Sequence, residues 1–204
     1  MKKLDLNNET QIPILGFGTW QLKGQSVRDP LQKALEFGYR YIDTAKVYEN
    51  QKNIGHVLSN SDIPREDLFI TSKVWRTNLS HDAVLKSAKR TLSELQLEYL
   101  DLLLVHWPNK NIPIDQTLSA FQKLKDQGKI RAIGVSNFTI KHLKQAMETG
   151  VEISNNQVEF HPSLNQKKLK EFCDQNNIVL TAYSPLGQGK DLNLPVIKQL
   201  AKKY

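Results

Sequence analysis

Tyr48, Lys73, Asp43 and His106 are the residue types a proton-transfer site needs, and three of them stand where apolar runs end. Asp43 closes Tyr39-Arg40-Tyr41-Ile42-Asp43, with Tyr48 in the loop that follows. Lys73 closes Leu68-Phe69-Ile70-Thr71-Ser72-Lys73, and His106 closes Leu100-Asp101-Leu102-Leu103-Leu104-Val105-His106. An apolar run that finishes in an ionisable group reads as a buried parallel strand delivering chemistry to its C-terminal edge. A free phenol, with a pKa of about 10, is a poor proton donor near neutrality. A nearby ammonium lowers that value by stabilising the phenolate. In this reading Lys73 supplies the charge, Asp43 holds the lysine, and His106 orients a carbonyl oxygen or shares the proton. Such a set protonates an oxygen as negative charge develops on it. That suits carbonyl reduction by a hydride donor, where general acid catalysis contributes about 10²–10⁴-fold. Singly, each residue has a plainer role: surface packing for a loop tyrosine, solvation for a strand-end lysine, capping for the aspartate, a rim position for the histidine. Their convergence on one face of one fold favours chemistry.

The later loops carry groups suited to a ligand. Ser136 and Asn137 follow the fifth apolar run, Gln157 sits in the sixth, and Tyr183-Ser184-Pro185-Leu186-Gly187-Gln188-Gly189 follows the seventh. Amides suit a carboxamide, an aromatic face suits a flat ring, and a Ser/Gly loop can bring backbone N–H groups to a phosphate. A nicotinamide dinucleotide has all three features; ordinary turn chemistry is the alternative for Gly187 and Gly189. Trp20, Trp75 and Trp107 each follow a strand on the same face and are candidates for lining an apolar substrate mouth.

These side chains need strands to carry them. Seven apolar runs recur at intervals near thirty residues: 14–20, 39–43, 68–74, 100–106, 132–137, 156–160 and 178–183. Helical patterns separate them. Asp29 before Pro30 reads as an N-cap, with Gly38 closing that helix. Ser80 opens an amphipathic helix over 82–97, Gly128 ends one over 114–127, Gly150 ends one over 139–149, and Pro195 begins a last one over 196–204. Before all of these, residues 3–6 and 11–14 flank the turn-rich 7–10 as a β-hairpin.

Alternating strand and helix implies parallel strands with right-handed crossovers. A doubly wound dinucleotide fold would show G-x-G-x-x-G after its first strand. Gly16-Phe17-Gly18-Thr19-Trp20 lacks the third glycine, and its glycines better suit close backbone approach to something at a barrel mouth. Gly18, Thr19 and Asp43 are further candidates for cofactor contact. The expected fold is α/β, a TIM (β/α)8 barrel behind an N-terminal β-hairpin. Residues 1–204 form a single domain with seven of the eight strands, and the expectation is a barrel truncated at its C-terminus.

The chain has 204 residues and a net charge of +7, from 28 Lys and Arg against 21 Asp and Glu. Its lysines are scattered over helix faces, with no basic block and no RNA-binding aromatic signature, so no nucleic-acid partner is expected. A basic field that draws in a phosphorylated cofactor is the simpler reading. No run approaches a membrane span, and no apolar stretch follows Met1-Lys2-Lys3 as a signal peptide needs. One cysteine, Cys173, excludes an internal disulfide framework and fits a reducing cytoplasm. It reads as a small buried hydrophobe.

The chain resembles the aldo-keto reductases. The resemblance rests on Leu15-Gly16-Phe17-Gly18-Thr19-Trp20, residues 38–45 (GYRYIDTA), Thr71-Ser72-Lys73, His106-Trp107-Pro108, residues 128–138 (GKIRAIGVSNF), Asn156-Gln157-Val158-Glu159 and Ala182-Tyr183-Ser184-Pro185-Leu186. Within the family it is most similar to bacterial 2,5-diketo-D-gluconate and methylglyoxal reductases. The resemblance implies a barrel and NADPH-dependent reduction of aldehydes and ketones. Tyr48 would be the general acid, Lys73 and Asp43 its tuners, and His106 the substrate-orienting partner. Ser136, Asn137 and Gln157 would hold the carboxamide, Tyr183 would stack on the nicotinamide, and Ser184, Leu186 and Gln188 would approach the pyrophosphate. A small-molecule carbonyl substrate, a monomer, no metal and a cytoplasmic setting go with it. Family members usually carry Asn-Glu after the tyrosine; here the pair is Asn50-Gln51. The family's eighth strand, its segment gripping the adenosine 2′-phosphate and its C-terminal substrate loop have no counterpart in these residues. Two alternatives stay open: a non-catalytic NADP(H)-binding scaffold or redox-sensing regulatory subunit, and a sugar-phosphate isomerase on the same barrel.

Overall fold

Short, near-continuous apolar runs make strands buried on both faces, and such strands must be covered on both sides. A computed structural model describes residues 2–6 and 10–204. Strands β1 (Lys3–Asp5) and β2 (Gln11–Pro13) pair antiparallel, Leu4 opposite Ile12. The hairpin's predicted turn at Asn7-Asn8-Glu9 lies outside the described residues. Seven further strands follow in one parallel sheet whose spatial order is the chain order: β3 (Phe17–Gly18), β4 (Tyr41–Asp43), β5 (Phe69–Val74), β6 (Leu100–Val105), β7 (Ile130–Ser136), β8 (Asn155–Glu159) and β9 (Val179–Tyr183). Each falls within or beside one of the seven apolar runs.

The sheet curls into a (β/α)8-type barrel. Gln157 on β8 donates an amide hydrogen bond to Asp43 Oδ2 on β4 at 2.7 Å. In a flat sheet four strand spacings would hold them about 19 Å apart. Alternation then sorts the side chains. Inside the barrel, Leu6 and Ile12 of the hairpin segment pack with Tyr41, Phe69, Leu102, Leu104 and Ala132, so the hairpin region closes the N-terminal end. Outside, Ile42, Ile70, Leu103, Val105, Ile133 and Val135 face the helices.

The helices are α1 (Arg28–Glu36), α2 (Gln51–Ser59), α3 (His81–Leu95), α4 (Ile114–Asp126), α5 (Ile140–Met147), α6 (Lys167–Gln175) and α7 (Pro195–Lys203). Six of these seven bury a stripe on that outer surface; α7 has no buried residue. In α3 the buried Val84, Ala88, Thr91, Leu92 and Leu95 fall on one helical face, and each fully buried Val or Leu contributes about 1.5–3 kcal/mol. Ser80 precedes α3 in an extended conformation and the left-handed Gln96 ends it. Asp29 proves to lie inside the first turn of α1 rather than at its N-cap, where its charge favours the positive end of the helix dipole. Helix α2 has Asn50 at its N-cap, but that side chain makes no cap bond; a glycine stands at the helix centre. Cys173 is buried and free. Among the described residues no helix is long and apolar enough to cross a membrane.

Candidate active site

The inward parity that places Tyr41, Phe69, Leu104 and Ala132 in the barrel core also governs the residues two positions further on. Asp43, His106, Lys73 (four beyond Phe69) and Ser136 (four beyond Ala132) therefore emerge together at the C-terminal end. Tyr48 arrives from the loop after β4, at the end of a short 3-10 turn over Lys46–Tyr48.

Lys73 is the hub. Its buried ammonium forms an ion pair with Asp43 and donates to the Thr44 carbonyl and to the Tyr48 phenol oxygen, each at 3.2 Å. Burial pulls the Lys73 pKa down, but the Asp43 charge, then Tyr48, outweigh it and hold it above its ordinary value. The lysine is thus a permanent cation. Tyr48 departs from the sequence expectation. Burial pushes the phenol up, and Lys73 pulls it down by less, so the net direction is upward. The resting phenol keeps its proton, and the ammonium acts to limit a penalty that burial imposes. His106 packs edge-on between Tyr48 and Trp75, with ring centroids 5.8 and 5.1 Å away. Burial, then the Lys73 charge, hold it down to about 3. At working pH it is a neutral imidazole, able to offer an N–H without carrying charge. Its Nδ1 is buried without a hydrogen-bond partner among the described residues.

The candidate cofactor residues adjoin this cluster and bond chiefly to one another. Asn137 donates to the His106 carbonyl at 3.0 Å and to Ser136 Oγ at 3.1 Å, and accepts from the Tyr183 hydroxyl at 3.0 Å. Ser136 Oγ donates to the Gln157 carbonyl at 2.8 Å, and Gln157 reaches Asp43. One polar net therefore links five strand ends, those of β4, β6, β7, β8 and β9. Thr19 joins from β3: its N–H and its hydroxyl both donate to the Asp43 carbonyl at 3.0 Å. The Thr19 side chain is thereby engaged with protein. Beside it, Gly18 borders open space, since a Cβ built there meets nothing within 4 Å. Ser184, Leu186 and Gln188 lie on the loop after β9, with Leu186 exposed and Ser184 and Gln188 in left-handed conformations. Gly187 and Gly189 donate their N–H groups to Ser184 and Leu186 within the loop. Of the tryptophans, Trp75 packs on His106, whereas Trp20 and Trp107 are exposed.

The chemistry of this donor set fits a flat ring bearing an amide. Acceptors and donors of both kinds ring the mouth, a half-buried tyrosine face stands beside them, and the backbone at Gly18 leaves room for close approach.

Sequence reading gave Asn50 no role beyond a motif position. It is fully buried two residues after Tyr48. Its amide donates to the Thr19 and Leu22 carbonyls, both at 2.9 Å, and accepts from the Thr44 hydroxyl at 2.9 Å. One side chain thus ties the loop after β4, which carries Tyr48, to the loop after β3. Gln51 is also buried, donating to Ser72 Oγ at 2.7 Å and accepting from Thr91 Oγ1 at 3.4 Å. A neutral amide there is matched to two hydroxyls.

The model of the Aldo/keto reductase family matches residues 14–192. A glyoxal reductase of Bacillus subtilis (strain 168) is 42% identical over 201 residues, covering 98% of this chain and 72% of the relative. Methylglyoxal reductase DkgB of Yersinia pestis is 42% identical over 197 residues, covering 95% of this chain and 74% of the relative. Among solved structures, the aldose reductase from Schistosoma japonicum superposes with a TM-score of 0.94 at 35% identity, covering all of this chain (100%) and 75% of that one. A putative 2,5-diketo-D-gluconic acid reductase B superposes with a TM-score of 0.95 at 36% identity, covering 100% and 73%.

Proposed function

The chain belongs to the aldo/keto reductase family, and on that premise we propose that it reduces small aldehydes and ketones to alcohols with NADPH as hydride donor and Tyr48 as general acid. The observation that carries the proposal is the Lys73 ammonium, bonded at once to Asp43 and to the Tyr48 oxygen, beside a neutral His106. When bound, the dihydronicotinamide supplies the hydride. Tyr48 passes its phenolic proton to the carbonyl oxygen as negative charge develops there, and the Lys73 ammonium stabilises the phenolate left behind. Asp43 keeps that ammonium charged and in place. His106 gives an uncharged N–H to the same oxygen, which polarises the carbonyl without competing as an acid. Ser136, Asn137 and Gln157 hold the carboxamide by exchanging some of their mutual hydrogen bonds for bonds to it, Tyr183 backs the ring, and the mouth at Gly18 and Thr19 admits it. The tryptophans 20, 75 and 107 flank the carbonyl substrate and exclude water.

NADPH rather than NADH is part of the proposal, supported by the net charge of +7, as is a monomeric, metal-free enzyme in the cytoplasm. The names of the relatives suggest 2-oxoaldehydes such as methylglyoxal as the first substrates to try. The test follows the loss of dihydronicotinamide absorbance with methylglyoxal and a panel of aldehydes, NADPH and NADH in parallel. Turnover that prefers NADPH is expected. Tight dinucleotide binding without turnover on any carbonyl would overturn the reductase reading in favour of a binding scaffold.

A further inference from the structure

Outside the site, a cluster of polar contacts joins the loop after β9 to the loop after β8. The loop after β9 is contorted: Ser184, Gly187, Gln188 and Gly189 all have positive φ, at 47, 55, 54 and 86°. Backbone in such sparsely populated regions persists only when its surroundings over-determine it. The carboxylate of Asp191, buried just beyond, supplies that constraint. Its Oδ2 accepts from His161 Nδ1 at 2.8 Å and from the Ser163 N–H at 3.0 Å, and its Oδ1 accepts from the Ser163 hydroxyl at 2.7 Å. A carboxylate only accepts, so His161 Nδ1 carries the hydrogen. The Ser163 hydroxyl, then the Ser163 N–H, hold the Asp191 carboxyl below the usual range, so the acceptor is an anion at neutrality. On its other side Asp191 fills the space against Gly187, where an added Cβ would come 2.7 Å from Oδ1. Glu159 flanks the far edge of the imidazole, with Oε1 at 3.5 Å from Nε2. The Ser and His here both point to the aspartate and not to each other, which excludes a nucleophilic triad and leaves a clasp.

We propose that Asp191 is a positioning residue for the dinucleotide: through His161 and Ser163 it fastens the loop 184–189 to the β8 side of the barrel, so that Ser184, Leu186 and Gln188 meet the diphosphate in a preformed conformation. The proposal rests on the reductase reading above. It adds a cross-link in which no member touches the cofactor, and it predicts that the loss falls on cofactor affinity. A loop that must be ordered by the ligand weakens binding by the fraction of time it is out of place.

The experiment measures NADPH affinity by fluorescence quenching in the intact protein, with Asp191→Ala, Ser163→Ala and the double variant. Asp191→Ala is expected to raise the Kd about tenfold or more and to raise KM for NADPH in step, the change in kcat at saturating NADPH being several-fold smaller. Ser163→Ala, which removes a hydroxyl and keeps the backbone bond, should give a smaller rise, and the double variant no more than Asp191→Ala alone. An unchanged Kd in both single variants, or full additivity in the double, overturns the proposal. Should Asp191→Ala fail to fold, Ser163→Ala and His161→Gln carry the same test. Hydrogen exchange in the cofactor-free protein separates the two layers of the argument. Amides of Gly187, Gly189 and Lys190 should exchange faster when Asp191 or Ser163 is changed; unchanged exchange removes the clasp itself. If the unsubstituted protein binds neither NADPH nor NADH while exchange still responds, the clasp stands, and the reductase reading and the cofactor role of Asp191 fall together.

Discussion

The strand ends of β4 to β6 and the loop after β9 both carry candidate functional groups, yet they hold them by different means. Lys73 rides on β5, every residue of which is buried, as is every residue of β6 before His106. Its position is fixed by strand register, with Lys73 opposite Leu104 and Asp43 opposite Thr71. The loop after β9 has no such ladder. It relies on left-handed backbone at two non-glycine residues and on the carboxylate of Asp191. The difference teaches where rigidity comes from: strand register fixes Asp43 and Lys73, while the loop after β9 is braced by side chains.

The sharpest way to break the comparison is to change the groups that meet at Lys73, on the strand ends and on the loop after β4. Tyr48→Phe keeps the ring against His106 and Lys73 but removes the proton; kcat should fall at least about 10²–10⁴-fold with the NADPH Kd nearly unchanged. Single-turnover kinetics beside a binding titration check this, and near-normal turnover would remove Tyr48 from the mechanism. Lys73→Met strikes the hub. It leaves the Asp43 carboxylate without its buried counter-ion, so a stability loss of about 3–5 kcal/mol should accompany the loss of activity, read from urea unfolding. Asn50→Ala tests bracing within the same half. It removes two hydrogen bonds that tie the Tyr48 loop to the loop after β3 and a third within the Tyr48 loop, and we expect kcat to drop about tenfold or more and stability by about 1–3 kcal/mol. A change confined to KM for NADPH would instead assign Asn50 to the cofactor side.

Two smaller effects sharpen the picture. Gly55 in α2 packs on the backbone of α3 so closely that an added Cβ would lie 2.7 Å from the Glu94 oxygen and from Leu95. Gly55→Ala should cost about 1–3 kcal/mol in thermal or urea unfolding while kcat/KM stays close to its starting value, because the contact is on the outer layer. His106 sets the pH behaviour. Held at about 3, it does not titrate near neutrality, so kcat should show no limb between about pH 6 and 7 from this group. For stability the sign is fixed by linkage. The unfolded imidazole titrates near 6.5, so between about 6.5 and 3 the unfolded chain binds the extra proton, and stability falls as pH falls. His106→Phe should flatten that acid slope by up to about 1.4 kcal/mol per pH unit, measured by urea unfolding across the range.

Much of this half was legible in the chain. Apolar runs ending in Asp43, Lys73 and His106 gave strand, direction and face together, because period two allows only one parity to be buried inside. The same rule applied two residues beyond β8 would have singled out His161, which sequence reading passed over. Asp191 and Ser163 carried no such signal: a polar residue in a loop looks the same whether it is solvated or buried against another loop. Helix α2 was missed because Gly55 interrupts its pattern, and the reason for that glycine, the backbone of α3, lies forty residues along.

What the sequence determined by itself was periodicity: seven parallel strands, the helices between them, and the identity of the residues at the strand ends. What only the tertiary structure decided was every quantity that depends on enclosure or on distant partners. Curling of the sheet brought Gln157 onto Asp43 across 114 positions of chain. Burial raised the Tyr48 phenol where its neighbour Lys73 alone would have lowered it. Asn137, which sequence could mark only as an available amide, proved to be engaged at both ends. Alternation is a local property and is written in the order of residues, whereas desolvation and long-range hydrogen bonding are set by what the rest of the chain places around a group.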